Sequence, residues 1–222
     1  MNKKIVFADE QFEKIIRDAL NKSDSDITSE DMRGIKRLYI GHTNLLDISP
    51  VEYCLELESI MIEKSEIDLR PFSELPKLRL LDITAPTANE LKDIELFKNL
   101  RSLSVFSIGG MRIDFKRYSH LKNLRSIRYI DISGNVFDCD ALSGFDFIEK
   151  LTFVGVKIKN TAHLQKLTAL KEFVMEPVFS DDYVQLRTAM ENMPSLTKVD
   201  FNNSSMDAAQ VTEVFGASKW AI

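Results

Sequence analysis

The stretch IRYIDISGNVFD, residues 127–138, sets apolar side chains at Ile127, Ile130 and Ile132, then Asn135, then Phe137. Positions two apart on a strand share a face, so the phrase reads as a short strand followed by a turn. What decides the fold is whether it stands alone. The pattern φxxφxφ, with φ apolar, occurs eight times: IKRLYI (35–40), LESIMI (57–62), LRLLDI (78–83), LRSLSV (100–105), IRYIDI (127–132), IEKLTF (148–153), LKEFVM (170–175) and LTKVDF (196–201). Successive copies begin 22, 21, 22, 27, 21, 22 and 26 residues apart. A near-constant period with constant phase is the signature of a repeat architecture.

A second rhythm leads into the copies. Leu69, Phe72 and Leu75 precede Leu78; Leu91, Ile94 and Phe97 precede Leu100; Cys139, Leu142 and Phe145 precede Ile148. A period of three fits neither strand nor α-helix, but suits a 3₁₀ or extended segment with every third side chain inward. Each unit is thus a strand, a turn and a return segment. One unit cannot bury its own apolar side, so neighbours must stack.

On these residues the chain resembles the leucine-rich repeat family, in particular the 22-residue bacterial class typified by the internalins. The resemblance implies an α/β, right-handed solenoid or horseshoe with about eight parallel strands on a concave face, capped by helices. The termini agree with it. FADEQFEKIIRDAL places Phe12, Ile15, Ile16, Ala19 and Leu20 at helical spacing behind Asp9 as N-cap, and Thr28 with Asp31 has capping-box spacing. Val211, Val214 and Phe215 share a helical face at the other end. The expected organisation is a helical cap over 1–34, repeats over 35–201 and a capping segment over 202–222, in one continuous structural domain.

The family usually carries an inward Asn after the third apolar residue. Here the positions hold Thr43, Ser65, Pro86, Ile108, Asn135, Val156, Val178 and Ser204, so only Asn135 conforms. Thr43, Ser65 and Ser204 offer weaker hydrogen bonds. An irregular solenoid is expected.

Alternation then assigns the outward side chains of the sheet. The middle column is expected to be Tyr39, Met61, Asp82, Ser104, Asp131, Thr152, Val174 and Asp200, flanked by rows that include Leu80, Phe106, Tyr129 and Val154. Apolar and aromatic groups on an uncovered sheet face point to a partner site. The candidate binding residues are Tyr39, Met61, Leu80, Phe106, Tyr129 and Val154. Three longer connections, 84–90, 107–112 and 176–182, leave the C-terminal ends of strands. The second supplies rim-loop candidates Ile108, Gly109, Gly110 and Met111. Arg79, Arg101 and Arg128 are expected at one repeat position, as solvated rim charges.

Catalytic and metal chemistry finds no motif. Cys54 and Cys139 lie four repeats apart and are expected to be separate, buried, reduced thiols. His42, His120 and His163 belong to different repeats, so no metal site is expected. DCDALSGFDFIE (138–149) has calcium-loop acids, but Leu142 stands where an oxygen ligand belongs. The formal charge of −5 gives no basic field for nucleic acid. No apolar run is long enough to span a membrane, and the start lacks a leader-like apolar stretch, which favours a cytoplasmic location.

The expected function is non-catalytic binding of a protein on the concave face, without cofactor. Two alternatives use the same fold: a regulatory or inhibitory subunit of an intracellular enzyme, and a small-ligand-binding or catalytic protein working through loop 107–112.

Overall fold

The computed structural model describes residues 2–108, 113–176 and 179–201. The expected C-terminal helix lies outside them, as do Gly109, Gly110, Met111, Val178 and Ser204. Among the described residues, eight strands follow one another in a parallel sheet, and three short ones form a second. The chain forms two compact units, 1–105 and 106–222.

The first unit opens with α1 (Glu10–Leu20) and α2 (Ser29–Arg33), followed by β1 (Arg37–Gly41), β2 (Ser59–Glu63), α3 (Arg70–Ser73), β3 (Leu80–Thr84) and α4 (Ala88–Asp93). β4 (Ser102–Ser107) begins at its end. Both expected caps form. The Asp9 carboxylate accepts from the backbone of Gln11 and Phe12, and it also accepts from Leu46 N at 2.7 Å, tying the helix to the first repeat. Thr28 and Asp31 make a full capping box. The parallel register is Leu38↔Ile60↔Leu81 and Ile40↔Ile62↔Ile83, and all six side chains are buried. Behind them Leu69, Phe72, Leu75 and Leu78 are buried too, at the expected period of three. Each large aliphatic group so buried contributes about 1.5–3 kcal/mol. Directly after their strands His42, Lys64 and Ala85 take φ of 54°, 46° and 54°, so one left-handed residue turns the chain in each repeat. Segment 84–90, expected as a rim loop, instead starts α4 through a capping box between Thr87 and Glu90.

The second unit contains β5 (Ser126–Asp131), β6 (Val136–Asp138), β7 (Lys150–Val154), β8 (Lys157–Lys159), β9 (Glu172–Glu176), β10 (Phe179–Ser180), α5 (Tyr183–Glu191) and β11 (Lys198–Asp200). Its register corrects the reading of residues 127–138. Ile127 pairs with Leu151 and Tyr129 with Phe153, so the inward pair on β5 is Ile127 and Tyr129. Ile132 is 65% exposed, and the repeat begins three residues earlier, as LRSIRY (124–129). The spacings of 27 and 21 become 24 and 24. Downstream, Val136 pairs with Lys157 and Phe137 with Ile158. The offset between partners is therefore 24 residues on the strands and 21 on the return. The difference is an insertion of three, Ile132–Gly134, between the two sheets. One step before Val136↔Lys157, Asn135 falls level with Val156, so it does occupy the asparagine position.

Aromatic rings fill this unit where an asparagine ladder is missing. Phe115, Tyr129 and Phe137 meet with centroids 5.5–5.6 Å apart, Phe137 lies 4.9 Å from Phe153, and Phe153 lies 6.2 Å from Phe173. Offset and edge contacts of this kind add about 0.5–1.5 kcal/mol per pair beyond burial. Arg125, next to Leu124, holds the repeat position of Arg79 and Arg101 in the sequence; Arg128 instead lies opposite Thr152 on the strand.

Candidate functional site

Three of the expected binding residues come together in the first unit. The register Tyr39↔Met61 and Ser59↔Leu80 sets Tyr39, Met61 and Leu80 on neighbouring strands, and they are 51%, 46% and 45% exposed. Alternation forces this placement, because Leu38, Ile40, Ile60, Ile62 and Leu81 take the opposite face. Beside them runs α1. Phe12 and Ile16 of the helix are buried, whereas Ile15 is half-buried and Ala19 exposed. Helix and sheet face together bound a groove of about 1100 Å³, lined by Ile15, Ala19, Tyr39, Met61 and Leu80 with Gln11, Lys14, Asp18, Arg37, Ser59, His42 and Thr43. A volume of this order is that of a ligand or side-chain-binding cleft. The helix wall was the part missed in the sequence. Its signal was the breadth of the apolar stripe, five residues when the core takes only two.

The floor of the groove is fixed by polar contacts. The Tyr39 hydroxyl donates to Glu63 Oε2 at 2.9 Å, and His42 Nε2 lies 3.4 Å from Glu63 Oε1. The hydrogen bond to Glu63 and its charge push the Tyr39 phenol upward from its ordinary value. The ring lies against Gly41, where a side chain would collide with it. Ser65 does what its repeat position requires: its buried hydroxyl accepts from Thr43 N at 3.3 Å and donates to Glu63 O at 2.9 Å. Arg37, Lys14 and Asp18, by contrast, make no side-chain hydrogen bond or ion pair among the described residues.

The remaining candidates behave differently. Phe106 and Val154 are half-buried, and Ile108 is 36% exposed at the end of β4. Tyr129, expected to face outward, is buried at 3%. The three-residue shift of register accounts for it, since Tyr129 occupies the inward position that Phe153 occupies next door. Its hydroxyl donates to Asp131 Oδ2 at 2.7 Å. Asp131, also expected outward, has no exposure and accepts further from Ser133 N at 2.8 Å, from the Ser133 hydroxyl and from Asn135 Nδ2 at 3.0 Å. Burial works to raise the Asp131 pKa, but the hydrogen bonds from Ser133, Tyr129 and Asn135 hold it below the usual carboxylate range. Burial also pushes the Tyr129 phenol up, and the Asp131 hydrogen bond pushes the same way. Val174 and Thr152 are buried at 7% despite their outward positions, beside the ion-paired row Lys150–Glu172–Lys198 with distances of 3.0 and 2.8 Å.

Cys54 and Cys139 are free and buried, and burial raises the Cys54 thiol to about 12. Of the acids of segment 138–149, Asp138, Asp140 and Glu149 are engaged by protein groups. Asp138 accepts from Asn160 Nδ2 at 3.0 Å, and Asp140 is bound by Lys116 with His163 Nδ1 at 3.3 Å. No helix among the described residues is long and apolar enough to cross a membrane.

No protein-family model matches the chain, and no curated protein matches it. Solved structures do. Internalin C2 of Listeria monocytogenes is similar with a TM-score of 0.62 and 18% identity, over 95% of this chain and 92% of that one. Internalin F of Listeria monocytogenes is similar with a TM-score of 0.59 and 20% identity, over 95% of this chain and 68% of that one. The repeat period, the parallel sheet, the helical cap and these neighbours agree: the chain has the leucine-rich-repeat fold of the internalins.

Proposed function

We propose that the chain is a non-catalytic scaffold that binds another protein on the open sheet face beside α1. The observation that carries this reading is the adjacency of Tyr39, Met61 and Leu80, three large side chains about half exposed on neighbouring strands. Scattered surface apolars are ordinary, but a contiguous apolar patch with an aromatic and polar edges is what interfaces use. The internalin-like fold, typical of protein–protein interaction scaffolds, supports it. A sheet face already held by the core loses little conformational entropy when it is covered. Phe106 and Val154 belong to the proposal as half-buried positions, while Tyr129 enters only through packing.

The test is affinity capture with the wild type and with Met61→Asp/Leu80→Asp, both sites being exposed enough to leave the fold intact by circular dichroism. A protein held by the wild type and lost by the double variant supports the reading, with an expected loss of about 2 kcal/mol or more, roughly thirtyfold. Equal capture by both proteins removes this face from the function.

A further inference from the structure

β1 has a strand partner on one side only: it stands at the end of the eight-strand order, and its register runs to β2. Ser59 N donates to Lys36 O and His42 N donates to Glu63 O, so the even-numbered backbone groups of the strand turn towards β2. A parallel ladder then sends the groups of the alternate residues the other way. These are the N–H and C=O of Arg37, Tyr39 and Gly41, and none of them makes a hydrogen bond among the described residues. Alternate residues recur about every 6.6 Å along a strand, which is the spacing that a further strand offers in return.

Sheet edges are ordinarily closed by a covering element, a bulge or inward charges. Here the neighbouring element is α1, and it is fixed in place. The Thr43 hydroxyl donates to Gln11 Oε1, and Asp9 accepts from Leu46 N. Between helix and strand lies the groove of about 1100 Å³, whose lining passes from Ile15 and Ala19 to Arg37, Leu38, Tyr39 and Gly41. A five-residue strand, about 17 Å long, 4.8 Å wide and 10 Å thick with its side chains, takes less volume than that. A second copy of the sheet is a poorer occupant, because its further strands would run through the place that α1 holds. A single extended segment needs only the gap. Its alternate side chains point to opposite faces, so one set meets Ile15 and Ala19 and is best apolar.

Resting on the scaffold reading above, we propose that the edge of β1 binds an extended segment of the protein partner as an added strand, held by the backbone of Arg37, Tyr39 and Gly41. The test uses the full chain and a labelled peptide of about eight residues that alternates Val and Thr between Lys ends. A second peptide has the same side chains but carries N-methyl groups on its central residues, which removes donors from both of its edges. By fluorescence anisotropy the methylated peptide is expected to bind at least about tenfold more weakly, since several backbone hydrogen bonds are lost. Arg37→Pro removes one outward N–H without touching the ladder to β2, at a place where edge strands tolerate proline. It is expected to weaken the parent peptide roughly tenfold, whereas Arg37→Ala leaves it unchanged. Hydrogen exchange supplies a readout free of mutation: the amides of Tyr39 and Gly41 should slow about tenfold or more when the peptide saturates the chain. Equal affinity for the two peptides, unprotected amides, or no saturable binding at about 1 mM overturns the proposal. Slowing of the same amides with protein concentration alone overturns it too, in favour of a second copy. The two readings separate: a captured protein lost with Met61→Asp/Leu80→Asp but retained by Arg37→Pro keeps the scaffold and discards the added strand.

Discussion

Tyr39 lies along its own strand with its ring over Gly41, so the width of the groove floor depends on a residue without a side chain. Gly41 has no need of glycine for its backbone, because it is not among the positions of positive φ. Gly41→Ala is expected to turn the Tyr39 ring outward, since the far end of a half-exposed side chain yields more readily than backbone. Thermal unfolding should change by less than about 1 kcal/mol. The hydrogen bond to Glu63 should be lost, and the protein retained in affinity capture should be held about tenfold more weakly. A variant that keeps full affinity would show that ring position is immaterial.

Asp131 gathers four donors in a site closed to solvent. Asp131→Ala leaves the Tyr129 hydroxyl buried without this acceptor and is expected to cost about 2–4 kcal/mol in urea unfolding. Tyr129→Phe, which removes the donor and keeps the ring, should cost about 1 kcal/mol. The pH sign follows from the lowered pKa. The folded state binds this proton less readily than the unfolded state, so the stabilisation is present above the ordinary value of 3.8 and is lost as pH falls through the folded value. Asp131→Asn should flatten that part of the acid limb.

Glu90 has the opposite sign. It is buried at 1%, accepts from Thr87 N at 2.6 Å and Ile67 N at 3.3 Å, and its pKa is raised chiefly by burial. The folded state therefore favours the proton, and stability from this group is full below the ordinary 4.5 and declines as pH rises through the folded value. Glu90→Gln should remove that decline and be neutral or stabilising at pH 7. Glu90→Leu, which deprives both backbone donors, should destabilise by about 1–3 kcal/mol. Urea denaturation at a series of pH values separates the two variants.

The left-handed residues that follow the strands give a paired prediction. Ala85 sits at φ 54°, where a Cβ is strained, so Ala85→Gly is expected to stabilise by roughly 0.5–1 kcal/mol despite added freedom in the unfolded chain. Gly155 sits at φ 69°, and a Cβ there would lie 2.8 Å from the Asp131 carbonyl oxygen. Gly155→Ala should cost about 2 kcal/mol or more, because the obstacle is backbone. Chemical denaturation midpoints with unchanged slopes would establish both values; a neutral Gly155→Ala would mean that the turn relaxes.

Much of this architecture can be read without coordinates. Leu57, Ile60 and Ile62 and their counterparts announce the strands, while Leu69, Phe72 and Leu75 announce the return, because burial of one face leaves a mark at a fixed spacing. Residues 127–132 satisfy the same pattern as 124–129, and no property of Ile130 or Ile132 alone distinguishes them. The rhythm of three does distinguish them. Phe115, Tyr118 and Leu121 lead to Leu124, not to Ile127. Tyr129 is an ambiguous sign for an inward position, because its phenol needs a polar partner, and that partner is another residue of the same strand, Asp131. The floor of the groove was legible at Tyr39, Met61 and Leu80 through alternation. The helix wall was not, since which part of a broad apolar stripe remains uncovered is settled by packing across the first repeat.

The three residues Ile132–Gly134 show where a repeat array accepts added length. Both pairings on either side of them survive, strand to strand with one offset and return to return with another. The junction between them thus behaves as a slack joint, in which the chain can lengthen while each layer keeps its own count. Variation in this architecture need not proceed by whole repeats. A loop grown at one such joint changes what is displayed there and leaves the neighbouring layers in step.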